Sequence, residues 1–317
     1  MRALVTGISG FAGHHLTAEL TAAGYEVHGM LISVAEPVPP GVAATYVADI
    51  TDPGAVGSAF EAARPDVVFH LAGAASVGQS FAMPVETWRV NLDGTLVLLE
   101  TLRSCDRAVR CVAVTSGEVY GIVPVDRLPV GPDTLLRPHS PYAASKAAAD
   151  LAAGQYHDGY GLPVLRVRAF NHIGPGQDPR FVVPAVARQI ALGERDGLAR
   201  IEIKVGNVDT RRDFTDVRDV VRAYRLVAER GDPVAPYLVC SGRSVAVREL
   251  IEALVGMARA ETSLTIDATR LREGEQPDLY GSPDRLTADT GWVPEIPLER
   301  SLRDSLDWWR RRVAEED

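Results

Sequence analysis

Short apolar runs alternate with longer helical patterns through the first half of the chain. Most of the runs are apolar on both faces, which is typical of parallel strands covered by helices on each side. We predict strands at residues 3–5, 27–31, 45–48, 67–71, 111–115, 164–170 and 237–240. Strand and helix in this rhythm form right-handed βαβ units, so the pattern predicts an α/β protein with a doubly wound parallel sheet.

The second half of the chain has a different composition and a different pattern of elements. After residue 171 glycine and proline become frequent, and helices alternate with short extended pieces. A helical pattern at 217–229, followed by the strand pattern at 237–240, fits back into the first sheet. The pattern therefore predicts one domain over 1–170, to which 214–242 return, and a smaller, loop-rich α/β domain formed by 171–213 and 243–317.

The composition is that of an ordinary globular protein and narrows the possible partners. Hydrophobic residues make up 46% and charged residues 24%, which excludes wholesale disorder. With 33 Lys and Arg against 42 Asp and Glu, the formal net charge is −9, which argues against nucleic acid or an anionic membrane as the main partner.

The chain also shows no pattern for membrane insertion or secretion. No apolar run approaches the roughly 20 residues that a membrane-spanning helix needs, and the start MRALVTGISG lacks a signal-peptide pattern. We therefore expect a cytoplasmic protein. Its three cysteines, Cys105, Cys111 and Cys240, show no metal-binding spacing, so we expect reduced thiols and no metal site.

A glycine-rich turn follows the first predicted strand and opens the first helical pattern, which covers residues 13–23. Residues 6–13 read TGISGFAG, so Gly7, Gly10 and Gly13 form a G-x-x-G-x-x-G pattern. Glycines permit the tight turn and let backbone N–H groups approach a pyrophosphate at the helix N-terminus. In this position the pattern indicates a dinucleotide-binding, Rossmann-type fold; a sharp turn without a ligand is the alternative.

The choice between NAD(H) and NADP(H) stays open. An acidic residue after the second strand would hold a ribose 2′-hydroxyl, and an arginine would hold a 2′-phosphate. Residues 29–33 read GMLIS and contain neither, and no Lys or Arg occurs between Arg2 and Arg64. Asp49, after the third strand, is placed either to meet the adenine edge or to cap a helix that follows.

A tyrosine and a lysine four residues apart form the most reactive pair in the chain. Ser140 can cap a helix whose first position is Pro141, and Tyr142 and Lys146 then share one helix face. A phenol with its ordinary pKa of about 10 is a poor acid or base at neutral pH. We expect the neighbouring ammonium to lower that pKa toward the working range.

Ser116 lies at the end of the fifth predicted strand, in VTSGEVYG at 114–121. The carboxyl ends of the strands line the ligand crevice in a doubly wound fold. We therefore expect Ser116 to share a hydrogen bond with the substrate oxygen that Tyr142 protonates. Glu118 is a candidate substrate contact or base, or else an exposed loop carboxylate.

Together these motifs resemble the extended short-chain dehydrogenase/reductase family, in the branch that acts on nucleotide sugars. The resemblance covers essentially the whole chain and includes HLA at 70–72 and NLDGT at 91–95. It implies that Ser116, Tyr142 and Lys146 form a catalytic triad. It also implies a homodimer in which the helices over 90–103 and 142–156 pair into a bundle.

Motifs in the second half are similar to those of enzymes that reduce the 4-keto group of a GDP-4-keto-6-deoxyhexose. They are FNHIGPGQ at 170–177, IKVGN at 203–207, RDFTDVRD at 212–219, CSG at 240–242 and the stretch from 270 to 292. The resemblance implies a GDP-6-deoxyhexose product of the GDP-rhamnose type. By the family pattern Arg212 and Arg272 bind the diphosphate, Glu275 binds a ribose hydroxyl and Asn171 lies beside the sugar nucleotide. The planar guanidinium fork matches phosphate oxygens.

One departure from the family pattern bears on the reaction. Position 117 is glycine, where relatives usually carry a hydroxyl or acidic side chain. This disfavours a 4,6-dehydratase, which needs acid/base groups at this turn. A GDP-mannose 4,6-dehydratase and a 4-epimerase stay alternatives, and a non-catalytic dinucleotide-sensing protein is the alternative from another class.

The sequence thus yields two sets of candidate binding residues. The candidate cofactor-binding residues are Gly7, Gly10, Phe11, Gly13, Asp49, Ile50, Leu71, Ala72, Asn91, Tyr142 and Lys146. The candidate substrate-binding residues are Ser116, Glu118, Asn171, Lys204, Arg212, Arg272 and Glu275. The expected partners are a GDP-sugar and a second copy of the chain, with no nucleic acid and no membrane.

Overall fold

A central parallel sheet organises the computed structural model, which describes residues 1–270 and 276–316. The strands are β1 Arg2–Thr6, β2 Glu26–Leu31, β3 Val42–Val47, β4 Val67–His70, β5 Arg110–Ser116, β6 Val164–Ala169, β7 Asn171–Ile173, β8 Arg200–Val205, β9 Arg211–Arg212, β10 Phe214–Asp216, β11 Tyr237–Val239, β12 Val245–Ala246, β13 Glu261–Ile266 and β14 Asp278–Leu279. The α-helices are α1 Phe11–Ala22, α2 Pro53–Ala63, α3 Val77–Ala82, α4 Pro84–Trp88, α5 Gly94–Arg103, α6 Pro141–Tyr160, α7 Val182–Arg195, α8 Val217–Arg230, α9 Val247–Val255, α10 Asp284–Thr290 and α11 Leu298–Ala314.

The main sheet has seven parallel strands in the order β3-β2-β1-β4-β5-β6-β11. All seven predicted strands are present, so the predicted doubly wound architecture is confirmed. The central strands are buried on both faces, and only the edge strand β3 alternates between exposed and half-buried positions among the strands of this sheet that the structure describes. Strand order reverses between β1 and β4, which creates a crevice at their carboxyl ends.

Helices cover both faces of the sheet and close two apolar cores. On one face α1 and α8 bury residues such as Leu16, Val220 and Tyr224 against the strands. On the other face α2, α5 and α6 bury residues such as Phe60 and Leu98. Strand β11 follows α8 and pairs with β6 in parallel register, so the chain returns to the main sheet after leaving it at β6. None of the described helices is long and apolar enough to cross a membrane.

A second group of elements surrounds a separate core. Helices α7, α9 and α11 pack with β8 and β13 around residues that include Ile190, Ile203, Leu254, Leu306 and Trp309. The short strands β7 and β10 pair with each other, and β9 pairs with both β12 and β14. These small sheets connect the second core to the carboxyl edge of the main sheet.

The helix predicted over 90–103 differs in detail from the structure. Helix α4 ends at Trp88, a π-helical turn covers Arg89–Asp93, and α5 continues from Gly94. A π turn inserts an extra residue into the helix and often marks a functional site. Here the turn contains Asn91, a buried residue whose side chain bonds two other segments of the chain. Hydrophobic periodicity could not show this interruption.

A buried ion pair joins α6 to the strands beneath it. Asp150 on α6 accepts hydrogen bonds from Nε and Nη2 of Arg168 on β6, at 3.1 and 2.6 Å. Thr115 Oγ1 on β5 donates to the same carboxylate at 3.2 Å, and Arg168 Nη1 donates to the Tyr120 hydroxyl at 2.8 Å. Both charged side chains are almost completely shielded from water.

Replacing Asp150 by Asn is expected to lower the free energy of unfolding by about 3–5 kcal/mol, because it leaves the Arg168 charge buried without its partner. Urea denaturation followed by circular dichroism measures this change. Glu299→Gln, which breaks the exposed pair with Arg303 on α11, is the matched control and should leave the midpoint unchanged. Equal midpoints for Asp150→Asn and the unmodified protein would show that this pair does not contribute to the free energy of unfolding.

Candidate active site

A cavity of about 690 Å³ opens at the carboxyl ends of β1, β4 and β5, where the strand order reverses. The glycine loop forms one part of its wall, and Ser116, Tyr142 and Lys146 form another. Every candidate cofactor-binding residue except Asn91 lines this cavity. The structure therefore brings together side chains and loops that are more than 100 residues apart in the sequence.

The loop between β1 and α1, together with the first turn of α1, has a backbone that only glycine suits at two positions. Gly7 has a φ of 68°, and a Cβ there would lie 2.9 Å from the backbone of Ala72. A Cβ at Gly13 would lie 2.4 Å from the carbonyl oxygen of Ile8. Helix α1 begins after Gly10, and no side chain of the described residues caps its first turn. Its first N–H groups are therefore suited to hold a phosphate.

A threonine and a histidine fasten the ends of β1 and β4 beneath this loop. Thr6 Oγ1 and His70 Nδ1 are 2.9 Å apart, and Thr6 Oγ1 also accepts a hydrogen bond from the N–H of Ala72 at 3.1 Å. The second ring nitrogen of His70 lies 3.1 Å from Thr95 Oγ1. Burial, helped by the positive charge of Lys146, lowers the pKa of His70 to about 3, so the ring is neutral.

Helix α6 delivers the reactive pair, and its start matches the prediction. Ser140 Oγ accepts a hydrogen bond from the N–H of Ala143 at 3.1 Å, and Pro141 occupies the first turn. The phenol of Tyr142 lies near the side chain of Ser116, whose Oγ accepts a hydrogen bond from the N–H of Glu118 at 3.2 Å. Serine and tyrosine thus meet at the cavity wall.

The direction of the Tyr142 pKa corrects the sequence-based expectation. Burial raises the pKa of Tyr142 to about 12; the nearby Ser116 hydroxyl opposes this rise, and the carboxylate of Glu118 adds to it. The predicted lowering by Lys146 is therefore wrong for this structure. Lys146 Nζ donates to the carbonyl oxygen of Val114 at 3.2 Å, and desolvation of the phenol outweighs any attraction of the phenolate to the ammonium.

Lys146 is itself perturbed by its surroundings. It is buried, and burial lowers its pKa to about 8. Among the described residues no carboxylate forms an ion pair with it. Gly73 passes close by, since a Cβ there would lie 3.1 Å from Lys146 Nζ. The ammonium is therefore held at the cavity wall mainly by backbone groups.

Asn91 supports the cavity wall from behind instead of lining it. Its Oδ1 accepts a hydrogen bond from the N–H of Ala74 at 2.8 Å, and its Nδ2 donates to Ser145 Oγ at 2.9 Å. Ser145 Oγ in turn donates to the carbonyl oxygen of Tyr142 at 2.8 Å. Asn91 thus connects the loop after β4 to the helix that carries Tyr142.

Only some of the candidate substrate-binding residues line the cavity. Glu118 and Asn171 line the cavity. Arg212 is not among the lining residues, but its Nε lies 4.0 Å from Glu118 Oε1 and its Nη1 donates to the carbonyl oxygen of Gln276 at 2.7 Å. Lys204 is exposed on β8 and lies outside the lining residues. Arg272 and Glu275 lie outside the described residues.

Of the two alternatives for Asp49, the helix cap is wrong. The side chain of Asp52 caps α2 by accepting from the N–H groups of Gly54 and Ala55. Asp49 instead accepts two hydrogen bonds from Thr51, at 2.9 and 2.8 Å, and lines the cavity.

Sequence reasoning missed three charged residues in the cavity wall, Glu36, Glu86 and Arg89. Glu36 lies five positions beyond the end of β2, outside the segment 29–33 where a ribose-binding acid is expected, and its carboxylate accepts a hydrogen bond from Ser9 Oγ in the glycine loop. Arg89 sits in the π turn, hydrogen-bonded to Glu86. A serine-initiated turn at Ser33 was the available sign that the chain folds back toward the loop.

Comparisons with known proteins agree with this geometry. The family model for GDP-mannose 4,6 dehydratase matches residues 4–305. GDP-6-deoxy-D-mannose reductase of Pseudomonas aeruginosa is 41% identical over 315 residues, which cover 99% of each chain. The solved structure of RMD from Pseudomonas aeruginosa complexed with NADPH matches with a TM-score of 0.85 and 40% identity, over 98% of this chain and 99% of that one.

A structure with another reaction shares the same architecture. UDP-glucose 4-epimerase from Thermotoga maritima, solved with UDP-glucose, matches with a TM-score of 0.89 and 27% identity, over 99% of this chain and 100% of that one. The extended short-chain dehydrogenase/reductase fold predicted from the motifs is confirmed by these structures.

The neutral, buried His70 makes stability depend on pH in one direction. In the unfolded chain His70 binds a proton below its ordinary pKa of 6.5. In the folded chain it binds that proton only near pH 3, because its pKa is lowered to about 3. Folding is therefore penalised increasingly as the pH falls through this window. We expect the free energy of unfolding to fall less steeply between pH 6.5 and 4 in His70→Gln than in the unmodified protein, as measured by urea denaturation.

The exposed His139 provides the control for this titration. His139→Gln should leave the pH dependence of the unmodified protein unchanged. Identical slopes for His70→Gln and the unmodified protein would show that the buried ring does not contribute.

Proposed function

We propose that this chain, which belongs to the GDP-mannose 4,6-dehydratase family, is an NAD(P)H-dependent oxidoreductase that reduces a keto sugar. Its substrate is a GDP-4-keto-6-deoxyhexose, whose 4-keto group it reduces. The product is a GDP-6-deoxyhexose of the GDP-rhamnose type. The observation that carries the proposal is that Ser116, Tyr142 and the buried Lys146 line the same cavity as the glycine loop. The 41% identity to a GDP-6-deoxy-D-mannose reductase supports the same reaction.

The residues present fit a nicotinamide dinucleotide. Gly7 and Gly13 let neighbouring backbone segments approach so closely that a Cβ would not fit, and the tight turn they form leads into the first N–H groups of α1, which would hold the pyrophosphate. Asp49 and Ile50 would border the adenosine, and Lys146 would hold the nicotinamide ribose. When bound, the reduced nicotinamide supplies the hydride that the carbonyl carbon of the sugar accepts.

Tyr142 supplies the proton in this proposal. With its pKa raised to about 12 the phenol stays protonated at neutral pH, so its hydroxyl is available to donate to the substrate oxygen. Ser116 orients that oxygen through a second hydrogen bond. Lys146, mostly protonated at neutral pH with a pKa of about 8, offsets the negative charge that remains on Tyr142 after the transfer.

The second group of elements would bind the sugar nucleotide, through residues 171–213 and 243–317. Glu118 and Asn171 line the cavity and would contact the sugar, and the Arg212 guanidinium beside Glu118 has the planar fork that suits a diphosphate. Lys204, Arg272 and Glu275 stay predicted substrate residues that rest on the resemblance alone.

The turn after Ser116 favours reduction over dehydration. Gly117 has no side chain, and a Cβ there would lie 3.0 Å from the ring of Phe170. The ring therefore occupies the space where an acid or base at this position would stand. A 4,6-dehydratase or a 4-epimerase would also recycle its dinucleotide, whereas a reductase consumes one reduced dinucleotide for each sugar.

Replacing Tyr142 by Phe is expected to reduce turnover by about 10²–10⁴-fold, the usual contribution of a positioned acid. The assay mixes the protein with GDP-mannose, a separate 4,6-dehydratase and NADH or NADPH, and follows both dinucleotide oxidation and the product sugar. Tyr160→Phe, an exposed tyrosine at the end of the same helix, is the matched control and should keep normal turnover.

Several outcomes of this assay would contradict the proposal. Near-normal turnover in Tyr142→Phe would show that Tyr142 is not the proton donor. Loss of GDP-mannose without the added dehydratase would point to a dehydratase, and sugar conversion without net dinucleotide oxidation would point to an epimerase. Binding of dinucleotide with no turnover of any GDP-sugar would favour a sensing protein.

We further propose that the protein is a homodimer in the cytoplasm, formed through α5 and α6 and the preceding turns. Large apolar side chains are exposed on α6 and on α4, which precedes α5; among them are Leu151 on α6 and Val85 and Trp88 on α4. Clustered exposed apolar residues mark interfaces on soluble proteins. The free thiols of Cys105, Cys111 and Cys240 support a reducing compartment.

Leu151→Asp is expected to convert the dimer to a monomer, because it places a charge at an exposed leucine of α6 that the proposed interface would bury. Light scattering coupled to size-exclusion chromatography measures the mass. Leu198→Asp, at a half-exposed leucine between α7 and β8, should leave the dimer intact. A monomeric unmodified protein, or a dimeric Leu151→Asp, would contradict this interface.

A further inference from the structure

We infer that Glu36 makes this cavity select NAD(H) over NADP(H). The inference rests on the proposed function only in that the cavity must bind a nicotinamide dinucleotide. It is carried by the position of Glu36, which the structure places against the glycine loop although the sequence separates it from β2.

A turn at Ser33 brings Glu36 back to the loop. Strand β2 ends at Leu31, and Ser33 then accepts two hydrogen bonds: Oγ from the N–H of Ala35 and the carbonyl oxygen from the N–H of Glu36, each at 3.2 Å. The carboxylate of Glu36 accepts a hydrogen bond from the hydroxyl of Ser9, which stands between Gly7 and Gly10. Both Ser9 and Glu36 line the cavity.

This is the end of the cavity where an adenosine ribose would lie. In dinucleotide-binding α/β folds the pyrophosphate rests on the first glycine loop, and a carboxylate near the end of the second strand accepts from the ribose 2′-hydroxyl. Ser9 engages Oε2 of Glu36, and among the described residues Oε1 accepts no hydrogen bond. Glu36 therefore has an acceptor oxygen for that hydroxyl, already oriented by the loop.

The charges around this end oppose a 2′-phosphate. The cavity wall here contains three carboxylates, of Glu36, Asp49 and Glu86, and one guanidinium, of Arg89. Arg89 is already engaged, because its Nε and Nη2 each donate to Glu86 at 2.9 Å and its Nη2 lies 3.9 Å from Asp49. A phosphate at this point would meet Glu36 without a free basic partner among the described lining residues, so repulsion and desolvation both disfavour it.

The test measures equilibrium binding of NADH and NADPH to the purified protein by isothermal titration calorimetry, without any sugar substrate. We expect the dissociation constant of NADH to be lower than that of NADPH by about tenfold or more, the difference expected when a charged phosphate replaces a hydrogen-bonding hydroxyl next to a carboxylate. Because the Pseudomonas aeruginosa structure holds NADPH, both dinucleotides are measured under identical conditions.

Two variants connect the preference to Glu36. Glu36→Gln removes the charge and keeps the shape, so NADPH should bind more tightly and the NADH preference should shrink to about threefold or less. Ser9→Ala releases the carboxylate from the loop and should reduce the preference partway. Glu61→Gln, on the exposed surface of α2, is the matched control and should keep the full preference.

The outcomes separate this inference from the proposed function. Equal or tighter binding of NADPH by the unmodified protein overturns the selection, and so does an unchanged preference in folded Glu36→Gln. If neither dinucleotide binds, the proposed function fails together with the inference. If NADH binds selectively but no GDP-sugar is reduced, the proposed reaction fails while the role of Glu36 stands.

Discussion

The buried ion pair between Asp150 and Arg168 is the contact on which the reactive end of the cavity depends. Each charge is removed from water, and only the ion pair between them offsets that desolvation cost. The pair therefore fixes α6 relative to β5 and β6. Lys146 lies one turn before Asp150 on that helix, and Tyr142 lies one turn earlier still. Holding Asp150 in place therefore determines where the phenol and the ammonium lie relative to Ser116, which follows Thr115 at the end of β5.

The two ends of the cavity have different electrostatic characters. At the reactive end Lys146 donates to a backbone carbonyl of β5, and burial keeps Tyr142 protonated. At the opposite end Glu36 and Asp49 give the wall a negative character, while the glycine loop offers N–H groups between the two ends. The formal net charge of −9 describes neither end. Recognition of a phosphate-rich ligand depends on these local groups, since exposed charges further away are screened by salt.

Several features of the site were predictable because they depend on neighbours in sequence. Helical spacing places Tyr142 and Lys146 on one face, and Ser140 caps their helix as its side chain and position require. Other features depend on contacts over long distances. The pKa of Tyr142 rises where the sequence predicted a fall, because the degree of burial is set by packing. Glu36 reaches the glycine loop through a turn that hydrophobic periodicity does not register.

The sequence by itself determined the order of strands and helices, the glycine loop and the spacing of the reactive pair. These follow from periodicity, from glycine's freedom at Gly7 and from the geometry of one helix. Only the tertiary structure decided which charges face the cavity and how strongly each is desolvated. It selected Asp52 over Asp49 as the cap of α2 and placed Asn91 behind the wall. The reason is physical: hydrogen bonds within one turn are local, whereas burial and electrostatic neighbours arise only when distant segments pack together.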